Sequence, residues 1–182
     1  MTILLFVLKC AWFILPAGFA NMAPVFVKRH FVFLALPVDF NKKINNKPIL
    51  GQSKTWRGLI FGIIAALIIF TVQKWLYQFH FFQQISLINY NDYNLFLGLV
   101  LGAGALFGDL VESFFKRRLN IPAGEPWFIF DQMDWILGTL FLSSFFYVFS
   151  WLEVLVILVL GLISHPLINY LGFLLKLKEN KF

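Results

Sequence analysis

Five long, strongly apolar stretches of the chain contain no charged residue, and this feature most limits what the chain can fold into. The stretches cover residues 10–27, 58–73, 93–108, 135–152 and 154–175. Each is close to the roughly 20 residues that a helix needs to cross a hydrocarbon layer about 30 Å thick. Hydrophobic residues make up 60% of the chain and charged residues only 13%, a balance unlike that of a water-soluble domain. The sequence therefore predicts an integral membrane protein.

The predicted fold class is all-α, a polytopic membrane protein with five transmembrane helices and two cytoplasmic loops. We expect the helices at about 3–27, 58–77, 93–114, 133–151 and 154–175. Loop one covers residues 28–57 and loop two covers residues 115–133. Within loop one, residues 30–38 are apolar but too short to span the membrane, so their conformation stays open.

The basic residues lie almost entirely on one side of the predicted membrane. Alternate threading of five helices places 13 of the 15 Lys and Arg residues in loop one, loop two and the C-terminal tail. Residues 77–92, on the opposite side, include no Lys or Arg. By the positive-inside rule the N-terminus lies outside a cell membrane and the C-terminus inside. We attribute the net charge of +6 to this orientation and to anionic lipid, and expect no nucleic-acid partner.

Acidic residues, which are costly near a membrane, are concentrated around loop two. Five of the nine fall within 26 residues, namely Asp109, Glu112, Glu125, Asp131 and Asp134. In a helix, Asp109, Glu112 and Lys116 share one face because they are three and four residues apart. Asp131 and Asp134 share a face of the next helix for the same reason. Two acidic helix ends therefore flank one basic loop.

Carboxylates held this close together repel one another unless a cation lies between them. A hard divalent cation such as Mg²⁺, which prefers oxygen ligands and substrate phosphates, would remove the repulsion. The adjacent Lys116, Arg117 and Arg118 suit the phosphates of a polyanionic substrate. Two alternatives fit the same spacing, namely ordinary ion pairs between these acids and the basic residues, and an acid-lined transport pathway. Spacing alone leaves all three open.

Four glycines precede Asp109 in two pairs of equal spacing. Gly98 with Gly102 and Gly104 with Gly108 form two G-xxx-G pairs. Such pairs allow membrane helices to approach closely. We interpret them as packing positions rather than as a ligand site.

Two further patterns are weaker. Residues 51–58 lack the spacing of a phosphate loop. They nevertheless offer side chains that can donate hydrogen bonds to phosphate oxygens, namely those of Lys54, Thr55 and Arg57. In the last apolar stretch, Pro166 is expected to kink the helix. His165 and Asn169 lie one turn apart beside it, and we interpret His165 as a hydrogen-bonded packing residue.

Several short motifs occur in an order that matches a known family. They are Leu15-Pro16 with Ala20-Asn21, Pro37-Val38-Asp39-Phe40, Gly51-x-x-Lys54-Thr55-Trp56-Arg57-Gly58, Gly108-Asp109 with Ser113 and Lys116-Arg117-Arg118, Asp131-x-x-Asp134, and His165 with Asn169-Tyr170. Over nearly the whole chain they resemble the CDP-archaeol synthase family, small five-span membrane enzymes related to the CDP-diacylglycerol synthases. Each motif alone is weak, but together they are specific.

The resemblance implies that residues 1–182 form one integral-membrane cytidylyltransferase domain with Mg²⁺ as cofactor. In the implied reaction a lipid phosphate attacks the α-phosphorus of CTP, pyrophosphate leaves and a CDP-lipid forms, a step of phospholipid biosynthesis. A phosphomonoester is already largely ionised at neutral pH, so its attack needs no side-chain base. The needs are positioning and charge neutralisation, which clustered acids and bases supply.

The resemblance also implies roles for individual residues. The expected Mg²⁺ ligands are Asp109, Asp131 and Asp134, and with Lys116 they form the expected catalytic set. The phosphates of CTP or of the lipid are expected at Lys54, Thr55, Arg57, Lys116, Arg117 and Arg118. CTP is further expected to contact Asn21 and Ser113.

The substrate identity has alternatives. The signature of the larger synthases is absent from the chain, which favours a lipid of the 2,3-bis-O-geranylgeranylglycerol 1-phosphate type. Phosphatidate, giving CDP-diacylglycerol, is the alternative substrate, and a non-enzymatic transporter or scaffold is a further alternative. A CDP-alcohol phosphatidyltransferase is disfavoured because Trp135 follows Asp134 where that family has Gly. The oligomeric state stays open.

Overall fold

The protein is a bundle of long helices. The computed structural model describes residues 2–28, 30–123 and 125–174, with side chains up to residue 164. Its helices are α1 (Ile3–Phe26), α2 (Trp56–Leu76), α3 (His80–Gln84), α4 (Leu95–Arg118), α5 (Phe130–Ser143) and α6 (Trp151–Leu174). Two short strands, β1 (Lys43–Ile44) and β2 (Lys47–Pro48), pair antiparallel in loop one. The prediction of an all-α membrane protein is confirmed.

The helices differ in their capacity to cross a membrane. By length and hydropathy, α1, α2 and α4 are each sufficient to span one. The part of α6 described with side chains, Trp151–Ser164, is a shorter apolar helix, and α5 has 14 residues. The count of five spans therefore stays a prediction. Residues 165–174 continue α6, and the roles predicted for His165 and Asn169 fall outside the described side chains.

The helix predicted at 133–151 corresponds to α5, which is shorter than that range. It ends at Ser143, whose carbonyl accepts hydrogen bonds from the N–H groups of Phe146 and Tyr147 in a turn. The next helix starts with a reciprocal pair of capping bonds. Ser150 N–H donates to Glu153 Oε2 at 2.6 Å, and Glu153 N–H donates to Ser150 Oγ at 3.3 Å. This S-x-x-E capping box fixes the start of α6 and leaves residues 144–150 as a connection.

The first glycine pair brings α4 against α2. A Cβ atom on Gly98 would lie 2.6 Å from Cβ of Phe70, and one on Gly102 would lie 2.5 Å from Cβ of Ala66. Since such distances are too short for real Cβ contacts, only glycine allows this approach. The packing role predicted for this pair is confirmed.

The second glycine pair brings α4 against α5, on a different side of α4. A Cβ atom on Gly104 would lie 2.8 Å from the carbonyl oxygen of Gly138, and one on Gly108 would overlap the carbonyl oxygen of Asp134. Backbone therefore meets backbone along this contact. As a result, the start of α5 lies directly beside residues 108–112 of α4.

Loop one is ordered by local turns. Residues 30–38 contain a 3-10 turn, Val32–Leu34, and the centroid of the Phe31 ring lies 4.5 Å from that of the Phe61 ring of α2. This apolar segment therefore forms a short turn that packs on α2.

The β1–β2 hairpin is the second ordered part of loop one. Between β1 and β2, Asn45 and Asn46 have φ values of 52° and 61°. Two successive positive φ angles define the tight hairpin turn that asparagine tolerates better than most residues. Asn45 and Asn46 therefore close the β1–β2 hairpin.

Candidate active site

Three carboxylates meet where α4 and α5 come into contact. Asp109 and Glu112 lie on α4 and Asp134 lies in the first turns of α5. One carboxylate oxygen from each lies within 4.8 Å of the other two. The close approach of Gly108 to the backbone of Asp134 produces this grouping, since it sets the two helices side by side at this level. The arrangement offers three oxygen ligands to a cation.

Glu112 is the member of this group that the sequence-based assignment of metal ligands omitted. Its side chain is buried, and Oε1 lies 3.2 Å from Lys116 Nζ. Within the described part of the chain that oxygen accepts no hydrogen bond of good geometry. Because Lys116 Nζ donates instead to Asp131, this buried oxygen is left short of donors and is suited to a cation. Its position three residues after Asp109 was the available signal.

Lys54 extends from loop one into the same group. Its Nζ lies 2.6 Å from Asp109 Oδ1. Burial alone would lower the pKa of Lys54, but the Asp109 carboxylate outweighs it and raises that pKa above its usual value. Lys54 is therefore held as a cation beside a possible metal ligand.

Lys116 links α4 to α5. Its Nζ lies 2.9 Å and 3.1 Å from the two carboxylate oxygens of Asp131. Asp131 Oδ2 also accepts a hydrogen bond of 2.9 Å from the backbone N–H of Trp127. Asp131 is not among the three carboxylates whose oxygens lie within 4.8 Å of one another, which are those of Asp109, Glu112 and Asp134.

Asp39 organises the part of loop one that carries Lys54. Its Oδ2 accepts from the N–H groups of Leu50 and Gly51 at 2.8 Å and 3.1 Å, and Oδ1 accepts from Asn41 N–H at 3.0 Å. Burial would raise the pKa of Asp39, but these backbone donors outweigh it and lower that pKa. Sequence reasoning gave Asp39 no site role, although its motif was part of the resemblance.

Ser113 connects the same segment to α4. Its hydroxyl donates to the carbonyl of Leu50 at 2.8 Å, and the residue is only 2% exposed. Together with the bonds of Asp39, this bond fixes residues 50 and 51 of loop one against α4 at the level of Ser113. Ser113 thus lies at the predicted site but is engaged with the backbone of loop one.

The two arginines that follow Lys116 donate to backbone carbonyls. Arg117 Nη2 donates to the carbonyl of Pro122 at 3.2 Å, and Arg117 lies close to Gly51. Arg118 reaches across to three carbonyls of the β1–β2 hairpin, those of Ile44, Lys47 and Pro48. Lys47 Nζ returns a bond of 3.0 Å to the carbonyl of Arg118. Among the described residues, the ion pairs of this region involve Lys54 and Lys116, not the arginine pair.

The other predicted site residues lie at the same end of the bundle but outside the acidic group. Thr55 is the N-cap of α2, and its Oγ1 accepts from Gly58 N–H at 3.3 Å. Arg57 donates to the carbonyl of His30 at 3.0 Å. Asn21 is half-buried on the last turns of α1.

Fold and site together define a small integral-membrane protein with a metal-competent acidic group and phosphate-suited cations at the ends of its helices. Comparison with known proteins narrows this class. A family model described as CarS-like, CDP-archaeol synthase, matches residues 2–182. The chain belongs to the CDP-archaeol synthase family, as its motifs predicted.

The chain is similar in sequence to individual members of the family over most of their length. The chain is 34% identical over 174 residues to the CDP-archaeol synthase of Pyrococcus furiosus, covering 95% of this chain and 96% of the relative. It is 31% identical over 169 residues to that of Methanocaldococcus jannaschii, covering 92% and 93%. A solved structure described as an intramembrane enzyme for archaeal membrane lipids biosynthesis superposes with a TM-score of 0.73 at 27% identity, covering 90% of this chain and 94% of that one.

Proposed function

We propose that this protein transfers CMP from CTP to a membrane lipid phosphate of the 2,3-bis-O-geranylgeranylglycerol 1-phosphate type, which gives a CDP-archaeol-like lipid and pyrophosphate. Family membership over the whole chain supports the reaction. The observation that carries the assignment to a site is the group of Asp109, Glu112 and Asp134 beside two lysines, at one end of a membrane bundle.

The donor set fits a hard divalent cation. The carboxylates of Asp109, Glu112 and Asp131 pair with the ammonium groups of Lys54 and Lys116, and the carboxylate of Asp134 lies beside those of Asp109 and Glu112. The excess negative charge, the all-oxygen ligand set and the unsatisfied oxygen of Glu112 suit Mg²⁺. We assign the ion to Asp109, Glu112 and Asp134. When bound, Mg²⁺ supplies charge neutralisation for the triphosphate.

Asp131 has a different task in this proposal. Its carboxylate holds Lys116 Nζ at 2.9 Å and thereby fixes the direction of that ammonium group. Lys116 and Lys54 then bind phosphate oxygens of CTP or of the lipid. Because both lysines are already held by carboxylates, little side-chain entropy is lost when a phosphate binds.

In this proposal, some of the arginines and polar residues contact the substrates and others hold loop one in place. Arg117, which lies next to Gly51, is proposed as a phosphate ligand. Arg118, Ser113 and Thr55 support loop one through their backbone bonds. Asn21 and Arg57, at the same end of the bundle, are proposed to contact CTP.

The chemistry needs no general base. An oxygen of the lipid phosphate forms a bond to the α-phosphorus of CTP, and the bond from that phosphorus to the bridging oxygen of the β-phosphate breaks. The electron pair leaves with pyrophosphate. The protein contributes in-line positioning and a field that favours the charge on the departing group.

We propose that the site faces the cytoplasm, where CTP is available. The basic residues of loop one and loop two lie at the site end of the bundle, and the positive-inside rule places such an end in the cytoplasm.

A transfer assay with labelled CTP tests the proposal. Purified protein is incubated with Mg²⁺, CTP labelled at the α-phosphate, and either the isoprenoid ether phosphate or phosphatidate. We expect label in the lipid and equimolar pyrophosphate, with the higher kcat/KM for the ether lipid. A higher value for phosphatidate would assign the alternative substrate, and no lipid label with either would contradict the reaction.

A further inference from the structure

An exposed aromatic turn lies between α4 and α5. We define it as the aromatic turn, residues Trp127–Phe130. The Trp127 and Phe130 rings are stacked with centroids 4.1 Å apart, and Phe128 between them is 77% exposed. Ile129 has a φ of 72°, a conformation that a β-branched residue adopts only where its surroundings hold it. The turn therefore presents apolar side chains outward in a defined shape.

Two hydrogen bonds join this turn to the site. Trp127 N–H donates to Asp131 Oδ2 at 2.9 Å, and Asp131 N–H donates back to the carbonyl of Trp127 at 3.1 Å. Asp131 is the residue that holds Lys116. The exposed rings and a proposed phosphate-binding ammonium are thus connected through one carboxylate.

The aromatic turn is continuous with the membrane-facing side of α5. Phe130, Leu137 and Phe141 are 53%, 50% and 58% exposed and lie seven and four residues apart, so they share one helix face. Exposed apolar side chains along a membrane helix contact lipid hydrocarbon. Because Phe130 belongs both to the aromatic turn and to this face at the start of α5, the occupant we assign to the aromatic turn is the hydrocarbon of the bilayer.

We propose that the aromatic turn inserts into the leaflet on the site side and forms the edge at which the lipid phosphate passes from the bilayer to Lys116. The inference rests on the proposed function for the identity of the lipid, but insertion can be measured without any reaction. Aromatic residues favour this depth because their rings suit the boundary between hydrocarbon and headgroups.

Depth-dependent quenching tests insertion. The only cysteine, Cys10, is buried, so a Cys10→Ala background allows single labelling sites. Phe128→Cys carries an environment-sensitive fluorophore in vesicles that contain lipids spin-labelled near the headgroup end of the acyl chain. Asn45→Cys, on the exposed tip of the β1–β2 hairpin, is the matched control. We expect several-fold stronger quenching at 128 than at 45, and equal quenching would overturn insertion.

Kinetics test the role in substrate access. Phe128→Ser is expected to raise the KM for the lipid phosphate by about tenfold, because it removes one apolar side chain that insertion would bury in the bilayer, with the KM for CTP unchanged. Phe33→Ser is the matched control, because Phe33 is 73% exposed at the same end of the bundle but lies in loop one. An unchanged lipid KM for Phe128→Ser, or an equal rise for Phe33→Ser, would overturn the assignment. An inactive wild-type protein with strong quenching at 128 would refute the proposed function and leave insertion intact.

Discussion

Asp39 shows how one carboxylate can shape a loop. Its three backbone hydrogen bonds hold residues 41, 50 and 51 around it, and residue 50 is in turn held by Ser113. Lys54 lies three residues after Gly51 and reaches Asp109. The position of the Lys54 ammonium group therefore depends on Asp39, a residue that is not itself in the acidic group.

Asp39→Asn is expected to lower the unfolding temperature of the detergent-solubilised protein at pH 7 by several degrees. Hydrogen bonds to a charged group contribute about 1.5–3 kcal/mol. Since the folded pKa of Asp39 is lowered, this stability is fully present above the unfolded pKa of about 3.9 and is lost as pH falls through the folded pKa. The difference from wild type should therefore shrink below about pH 4.

Asp92→Asn, at an exposed position on the opposite side of the bundle, is the control. It should match wild type at both pH values. Equal unfolding temperatures for Asp39→Asn and wild type at pH 7 would contradict the role given to Asp39.

At the scale of elements, the α4–α5 contact positions the acidic group. Gly108→Ala would place a methyl group against the carbonyl oxygen of Asp134 and push the two helices apart. We expect a loss of about 1–3 kcal/mol in stability, and at least a tenfold loss of CTP-dependent activity. Thermal unfolding and the transfer assay measure the two effects.

Gly18→Ala is the matched control on α1. Among the residues that the structure describes, a Cβ atom there would meet the Trp135 ring alone, at 3.8 Å, which is ordinary contact. Since alanine favours a helix over glycine by about 1 kcal/mol, this variant should be neutral or slightly stabilised. Full activity of Gly108→Ala would show that the acidic group does not depend on this close approach.

The positions of the elements followed from the sequence better than their contacts did. Uncharged stretches predicted all the long helices, because membrane hydrocarbon excludes charge from them. The end of α5 was predicted too late because the uncharged run continues through the largely aromatic residues 145–149, although Ser150-x-x-Glu153 was a readable start signal for α6.

The contents of the site were predicted in part. The acids, Lys54 and Lys116 do meet, but helix spacing could not say that Glu112 rather than Asp131 faces Asp109 and Asp134, because that depends on the rotation of α5 against α4. Arg118 bonds to a carbonyl 74 residues away, a contact that no local pattern indicates.

For the whole molecule, the distribution of basic residues predicts the orientation in the membrane. In the Cys10→Ala background, Asn45→Cys reports on loop one and Asn91→Cys on the opposite side. A membrane-impermeant maleimide applied to intact cells should label Asn91→Cys and not Asn45→Cys if the basic side is cytoplasmic, as we propose. Lysed cells control for reactivity, and labelling of Asn45→Cys in intact cells would reverse the topology.

In the proposed site, Asp109, Glu112 and Asp134 hold the metal while Asp131 holds Lys116. Binding of Mn²⁺, as a spectroscopic substitute for Mg²⁺, to the purified full-length protein tests this division of roles. We predict that Glu112→Gln weakens Mn²⁺ binding by at least about tenfold, whereas Asp131→Asn leaves it within about threefold of wild type and instead raises the KM for CTP. Loss of Mn²⁺ binding in Asp131→Asn with normal binding in Glu112→Gln would contradict the claim.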